Sequence, residues 1–268
     1  MERIAIISDI HGNLTALTEV LKDIEKRNVD KIMCLGDMLI KCASPRECVE
    51  TIFSKCDVVI KGNCEKRVVE DPRIDEHIWN QNKLTKEQKE KIANLPVSYD
   101  FYLSGYKIRL MHSSPRTVHE KSYFWDFNTK FDEHFEYMFE NTEFLNKCGN
   151  EKPDIVIFGH IHKPFIIRRK NKVLINPGAI SNASDMLDVN GKHVTYGSYL
   201  LLEGELESRE LCSISYKLVK FSYDNMAEAK KIIESDMPNK NEAYEEMKTG
   251  KYFSRLKLHL EAEKKRNG

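Results

Sequence analysis

What the chain lacks excludes several classes of protein. No apolar stretch approaches the ~20 residues that a membrane-spanning helix needs; the longest are short runs such as Ile4 to Ile7 and Ile155 to Phe158. Neither sign of charge is in excess, since 42 basic and 42 acidic residues cancel, so no global field favours nucleic acid or an anionic membrane. The seven cysteines are odd in number and form no CxxC pair, which suits reduced thiols in a cytoplasm better than a disulfide framework. Met1-Glu2-Arg3 leads directly into a strand pattern, which predicts no signal peptide. There is no internal repeat and no low-complexity tract.

The chain does contain a regular alternation of strand and helix patterns, and 268 residues suffice for one large α/β domain. Ile4-Ala5-Ile6-Ile7 reads as a strand buried on both faces. Asn13 to Lys26 follows as a helix with Leu14, Leu17, Leu21 and Ile24 on one side. Lys31 to Leu35, Pro45 to Phe53 and Val58 to Ile60 continue the order as strand, helix and strand, which implies a parallel sheet. Asp71 to Pro96 is polar, with a Thr-capped helix predicted from Thr85 to Leu95. A hairpin is expected around Ser104-Gly105-Tyr106, a long helix over Asn128 to Lys147, a strand over Asp154 to Phe158, and a second hairpin around Lys170-Asn171. Tyr196 to Leu202 and Ser213 to Lys220 read as antiparallel strands closing a second sheet. Beyond Tyr223 the chain turns helical and charged, with helices expected over Ala227 to Ile233, Glu242 to Lys248 and Tyr252 to Lys265.

Short polar signatures stand where the apolar runs end: Asp9-Ile10-His11, Gly36-Asp37, Gly62-Asn63, His112 and Gly159-His160-Ile161-His162. In an open α/β sheet the ligand site lies beyond the carboxyl ends of the strands, so these segments should share one rim. Each alone is ordinary turn chemistry. Together they offer seven oxygen and nitrogen donors, an inventory for two adjacent divalent cations and hence for phosphoester hydrolysis by a hydroxide held between them. Asp37 is the expected bridge. Asp9, His11 and His162 would complete one metal, and Asn63, His112 and His160 the other. The pairs Asp9/His11 and His160/His162 are expected to lie in extended segments, where residues two apart face the same way. His77, His119, His134, His193 and His259 lie in polar stretches and are expected on the surface.

At these residues the chain resembles the calcineurin-like metallophosphoesterase superfamily, whose signatures are Asp-x-His, Gly-Asp, Gly-Asn, His and Gly-His-x-His. Ser114-Pro115-Arg116 and Asn176-Pro177-Gly178 are similar to segments of its small bacterial and archaeal subgroup, which includes the YfcE-type phosphodiesterases. The resemblance implies a four-layer α/β/β/α sandwich of two mixed sheets, here residues 1–222, with a helical extension over 223–268 packed on it. It also implies two metals drawn from Mn, Fe, Ni, Zn or Co, catalysis through Asp37, Asn63 and His112, and a small phosphorylated monoester or diester as substrate. Asn13, Cys64, Arg67 and Arg116 are the candidates to contact that substrate. A nucleotide or dinucleoside polyphosphate, with Arg116, Tyr123 and Trp125 at its base, is the alternative, followed by a phosphoprotein. A non-enzymatic scaffold on the same fold, such as the retromer subunit, would have little use for all seven donors. Oligomeric state is left open.

The chain departs from many relatives at three places. Cys64 stands where they carry a histidine that protonates the leaving group, and Lys41 is the only cation between Met38 and Cys42. No arginine follows Asn176-Pro177-Gly178 until Arg209. A neutral thiol is a weak proton donor, and general-acid help is typically worth about 10²–10⁴-fold. Turnover of p-nitrophenyl phosphate should therefore exceed that of a simple alkyl phosphate by a factor of this order. Equal rates, with chemistry rate-limiting for both, would contradict the expectation.

Overall fold

The computed structural model describes residues 1–120, 131–145, 151–181, 186–189 and 192–250. Its elements are β1 (Glu2–Ile7), α1 (Leu14–Lys26), β2 (Lys31–Cys34), α2 (Pro45–Lys55), β3 (Val58–Val59) and α3 (Asn63–Glu65), the last continued by a π-helical turn, Lys66–Glu70. Next come α4 (Asp75–Lys83), α5 (Lys86–Ala93), β4 (Ser98–Leu103), β5 (Tyr106–Met111) and α6 (Phe131–Tyr137). The chain then runs through β6 (Ile155–Phe158), β7 (Phe165–Arg169), β8 (Lys172–Asn176), β9 (Met186–Val189), β10 (Lys192–Gly204), β11 (Ser215–Tyr223), α7 (Asn225–Glu234) and α8 (Lys240–Thr249).

Two mixed sheets result. One has the order β11-β10-β1-β2-β3, with β9 also pairing with β10; the other has the order β4-β5-β6-β8-β7. β1, β2 and β3 are parallel, as the strand-helix alternation requires. β10 and β11, expected to close the second sheet, instead extend the first, with β10 antiparallel to β1. The reason lies in β10 itself: Tyr199 packs on the helix side while Leu200 and Leu202 pack between the sheets. A strand apolar on both faces belongs inside a sheet covered on both sides.

Apolar packing divides into layers. Ile4, Ile6, Met33, Leu35, Ile108, Leu110, Ile155, Ile157, Leu200 and Leu202 fill the space between the sheets. The outer face of the first sheet, with Ala5, Ile7, Tyr199 and Phe221, is covered by Leu17 and Val20 of α1, Val49 and Ile52 of α2, and Ala229, Ile232, Ala243 and Met247 of α7 and α8. The outer face of the second, with Met111, Val156, Phe158 and Leu174, meets Phe135, Met138 and Phe139. Helix, sheet, sheet and helix thus stack as four layers. Asp224 caps α7 through the Ala227 amide, at 2.9 Å, and the buried Glu228 accepts from the amide and hydroxyl of Thr15 at the start of α1.

Two helical expectations are corrected. Within 131–145 the helix spans only Phe131–Tyr137, and Glu143–Leu145 is a separate 3₁₀ turn; the intervening Asn141 and Thr142 favour local hydrogen bonding, and the Thr142 hydroxyl donates to the Pro115 carbonyl. The 71–96 stretch holds α4 as well as α5, and α4 buries Glu76, His77 and Asn80, polar residues that carry no apolar period. His77 is therefore buried, whereas His134 is exposed. The expected helix over Tyr252 to Lys265 lies outside the described residues, as do residues 128–130 and 146–147 of the long helix, Tyr123, Trp125 and the side chains of His193 and His259. Ile232, fully buried in α7, tests whether the C-terminal helices belong to the main core. Ile232→Ala should lower unfolding stability by about 2–5 kcal/mol, read from urea denaturation; a change within error would make them a detachable appendage.

Candidate metal centre

All seven donors expected from the sequence converge at one end of the two sheets. Asp9 and His11 follow β1, Asp37 follows β2, Asn63 opens α3 just past β3, His112 directly follows β5, and His160 and His162 follow β6. Ligating atoms of Asp9, His11 and His162 lie within 4.8 Å of one another, and so do those of Asp37, His112 and His160. A third such group, His11, Asp37 and Cys64, overlaps the first two. Asp9 Oδ1 is 3.2 Å from His162 Nε2 and 3.8 Å from His11 Nε2. Asp37 Oδ1 is 3.3 Å from His112 Nε2, while its Oδ2 is 4.0 Å from His11 Nε2.

Side chains behind the donors fix which atoms face inward. His112 Nδ1–H donates to the Leu35 carbonyl (2.8 Å), and His11 Nδ1–H donates to the Leu39 carbonyl (3.2 Å). Both rings thereby turn Nε2 toward the other donors, and His11 Nε2 lies 3.0 Å from His162 Nε2. Asp9 Oδ2 accepts from the Ser8 hydroxyl (2.6 Å) and the His160 amide (3.0 Å), which leaves Oδ1 without a hydrogen bond although buried. His160 Nε2 is likewise buried and unpaired. Asn63 Oδ1 sits 3.1 Å from His112 Nε2. Lone pairs that face one another in a buried space require positive charge among them, a proton or a metal cation.

The electrostatics express the same requirement. Burial opposes charging of His112, yet the Asp37 carboxylate outweighs it and raises the ring to about 9. Burial also opposes charge on Asp37, but His112 and the other histidines hold that carboxyl well below its usual range. His160 is pushed down to about 3 by burial and by His112. His11 is lowered by burial and then by the charge of Lys41.

Backbone geometry corrects one expectation. Asp9, His11, Asp37, His160 and His162 all have φ between 53° and 68°, the left-handed region, so neither His-x-His nor Asp-x-His is an extended segment. His160 and His162 serve different clusters because the chain turns between them. Left-handed backbone costs an L-residue roughly 1–2 kcal/mol, although Asp and His tolerate it better than most; five such residues in one place mark strain held by the surroundings. Two glycines permit the close approach: a Cβ on Gly62 would overlap Asp37 Oδ1, and one on Gly159 would overlap Ser8 and Asp9.

Two residues escaped the sequence reading. Glu65, fully buried, accepts from the backbone amides of Asp37, Met38 and Gly62, each at 2.8 Å, and so ties the loop after β2 to the loop after β3. Burial and the Asp37 charge raise its carboxyl to about 7. Its place two residues after Asn63 was the available signal. His119, expected on the surface, is partly buried and feels the charges of Arg67, Lys66, Asp37 and His112, with burial lowering its basicity.

The four candidate substrate contacts are dispersed. Cys64 is inside the centre, its amide 2.8 Å from Asp37 Oδ1, and burial followed by Asp37 pushes its thiol well above the usual range. Arg67 is exposed. Asn13 is buried and engaged, its Oδ1 capping α1 at the Ala16 amide (2.9 Å) and its Nδ2 donating to Ser181 Oγ (3.1 Å). Arg116 is turned to the surface, 3.6 Å from Glu140 and 4.8 Å over the Tyr137 ring.

Fold and donors together define an α/β/β/α protein with a histidine- and aspartate-rich centre at its strand ends. The chain matches the calcineurin-like phosphoesterase superfamily domain over residues 2–198 and belongs to that superfamily. It is 28% identical over 249 residues to a protein of Methanocaldococcus jannaschii described as uncharacterized, covering 88% of this chain and 93% of that one. The crystal structure of a metallophosphoesterase from Sphaerobacter thermophilus superposes with a TM-score of 0.68 at 21% identity, covering 93% of this chain and 99% of the other. A hypothetical protein of Pyrococcus horikoshii gives 0.65 at 15%, covering 92% and 98%. The E. coli phosphoesterase YfcE aligns at 19% identity over 83% of this chain and 100% of its own, with a TM-score of 0.45. No helix among the described residues is long and apolar enough to cross a membrane.

Removing the Glu65 carboxylate leaves three buried amides without acceptors, each worth about 1–3 kcal/mol. Glu65→Ala should lower the stability of metal-free protein by about 3 kcal/mol or more, measured by urea denaturation. A loss no larger than that of an average surface substitution would show that Glu65 does not hold the two loops.

Proposed function

We propose that this chain is a binuclear metal-dependent phosphoesterase that hydrolyses a small phosphorylated monoester or diester in the cytoplasm. The observation that carries the proposal is the division of the Asp37 carboxylate, one oxygen toward His11 and the other toward His112, so that a single side chain faces both donor clusters. Asp9, His11 and His162 would hold one divalent cation and Asn63, His112 and His160 the other, with Asp37 shared. Imidazole and carboxylate oxygen donors suit Mn, Fe, Ni, Zn or Co. When bound, the cations supply Lewis acidity, generating a nucleophile from water near neutral pH and neutralising phosphoryl oxygens.

The chain's own residues do the positioning. The Leu35 and Leu39 carbonyls set the two histidine rings, Ser8 orients Asp9, and Glu65 holds the Asp37 and Asn63 loops. Asn176 Nδ2 donates to the Gly159 carbonyl at 2.7 Å and fixes the turn into His160. Lys41, whose charge lowers His11, and Lys66 and Arg67, whose charges lower His119, are the cations proposed to meet a phosphate. Cys64, its thiol made a still weaker acid by burial and by Asp37, is poorly suited to protonate the leaving group. Esters and anhydrides with acidic leaving groups are accordingly the preferred substrates.

Asp37→Asn should abolish turnover of an aryl phosphate while the circular dichroism spectrum stays that of the parent, and elemental analysis of the active parent should find two divalent cations per chain. A variant with undiminished rate, or full activity with a single cation, would overturn the shared role of Asp37.

A further inference from the structure

α4 carries none of the seven donors, yet it buries two polar side chains against the loop that follows Asp37. Asn80 is fully buried; its Oδ1 accepts from the Ile40 amide at 3.0 Å and its Nδ2 donates to the Glu76 carbonyl at 2.8 Å. Glu76 Oε1 accepts from the next amide, that of Lys41, also at 3.0 Å. Those two amides belong to consecutive left-handed residues, Ile40 at φ 72° and Lys41 at φ 78°. For a β-branched residue such as Ile40 that conformation is a genuine outlier.

The Ile40 amide and the Leu39 carbonyl are two ends of one peptide unit, and that unit is planar. Its carbonyl end receives the His11 Nδ1–H at 3.2 Å, and its amide end is held by Asn80. A short rigid line therefore runs from α4 to His11: Asn80 Oδ1, the Leu39–Ile40 peptide, the His11 ring. Rotating this peptide by half a turn would carry Ile40 φ to a negative, unstrained value and swing the Leu39 carbonyl away from His11. Asn80 opposes that rotation, because the rotated amide would lose its buried acceptor. The loop is otherwise laced to the His11 segment by His11 N–H to the Asp37 carbonyl (2.9 Å), Gly12 N–H to Met38 (2.8 Å) and Cys42 N–H to the His11 carbonyl (3.0 Å), none of which involves the Leu39–Ile40 unit.

We infer that Asn80 is a positioning residue for the metal centre: by holding the Leu39–Ile40 peptide in an orientation its own backbone disfavours, it sets which ring nitrogen His11 turns toward the other donors. The inference rests on the proposed metal centre, and its primary readout, the His11 tautomer, is measured without metal.

Imidazole nitrogen NMR of metal-free protein in mildly alkaline buffer reads the tautomer, and competition with a chelator reads metal affinity. In the parent, His11 should carry its proton on Nδ1. Asn80→Leu should move His11 to a mixture of tautomers and weaken binding of Mn or Zn by about 10–100-fold, the usual consequence of losing such a supporting contact. Asn80→Asp keeps an acceptor for the Ile40 amide and should retain the parent tautomer; Asn80→Ala, suited to a helix interior, carries the same test if leucine prevents folding. In Ile40→Gly/Asn80→Leu, glycine removes the drive to rotate and should restore the Nδ1 proton in part. A folded Asn80→Leu or Asn80→Ala variant with the parent tautomer and parent metal affinity overturns the inference. A parent chain that binds no divalent cation overturns the metal centre instead, whatever the tautomer shows.

Discussion

Acceptor atoms crowded into a buried space repel one another unless positive charge lies among them, and this chain gathers seven such donors from two sheets. The His11 and His112 rings place Nδ1 on backbone carbonyls behind them, so only Nε2 of each faces the crowd. The raised basicity of His112 is the protein's own response to the same demand. The proposed pair of divalent cations would meet it with more charge and would supply the Lewis acidity that phosphoryl chemistry needs.

Such a centre is costly to hold, and the fold distributes the cost. Five donors sit in left-handed backbone, and the strain is opposed by residues outside the donor set: Glu65 across two loops, Asn176 beneath the turn to His160, and Asn80 of α4 behind His11. These supports stand on packed layers. The inner core between the sheets fixes the relative position of the β1, β2 and β3 ends and the β5 and β6 ends, which is what brings Asp37 against His112. The supporting residues are buried and polar, so their loss leaves unpaired groups as well as misplaced donors.

Much of the fold was legible in the sequence because apolar period reports directly on burial. The parallel β1-β2-β3 unit, the two hairpins of the second sheet and the C-terminal helices α7 and α8 follow from that rule. β10 was misassigned to the other sheet because periodicity states that a strand is buried but not which neighbour it joins. α4 was missed because its buried residues are Glu76, His77 and Asn80, which leave no apolar stripe. Its role depends on partners some 40 residues away in sequence, and no local pattern records that separation. His119 was assigned to the surface for a related reason, since a polar neighbourhood in sequence says nothing of the loops folded over it.

The sequence by itself determined which polar residues stand at the strand ends and the family to which the chain belongs, since those depend on residue type and order. Tertiary structure alone decided how the donors divide. His160 and His162, separated by one residue, face different clusters because left-handed turns, and not strand alternation, aim them. It also decided that one Asp37 oxygen faces His11 and the other His112, and that α4 sets the peptide behind His11. Spacing along a chain fixes what can be brought together; orientation across 3–4 Å is fixed only by the packing of segments distant in sequence.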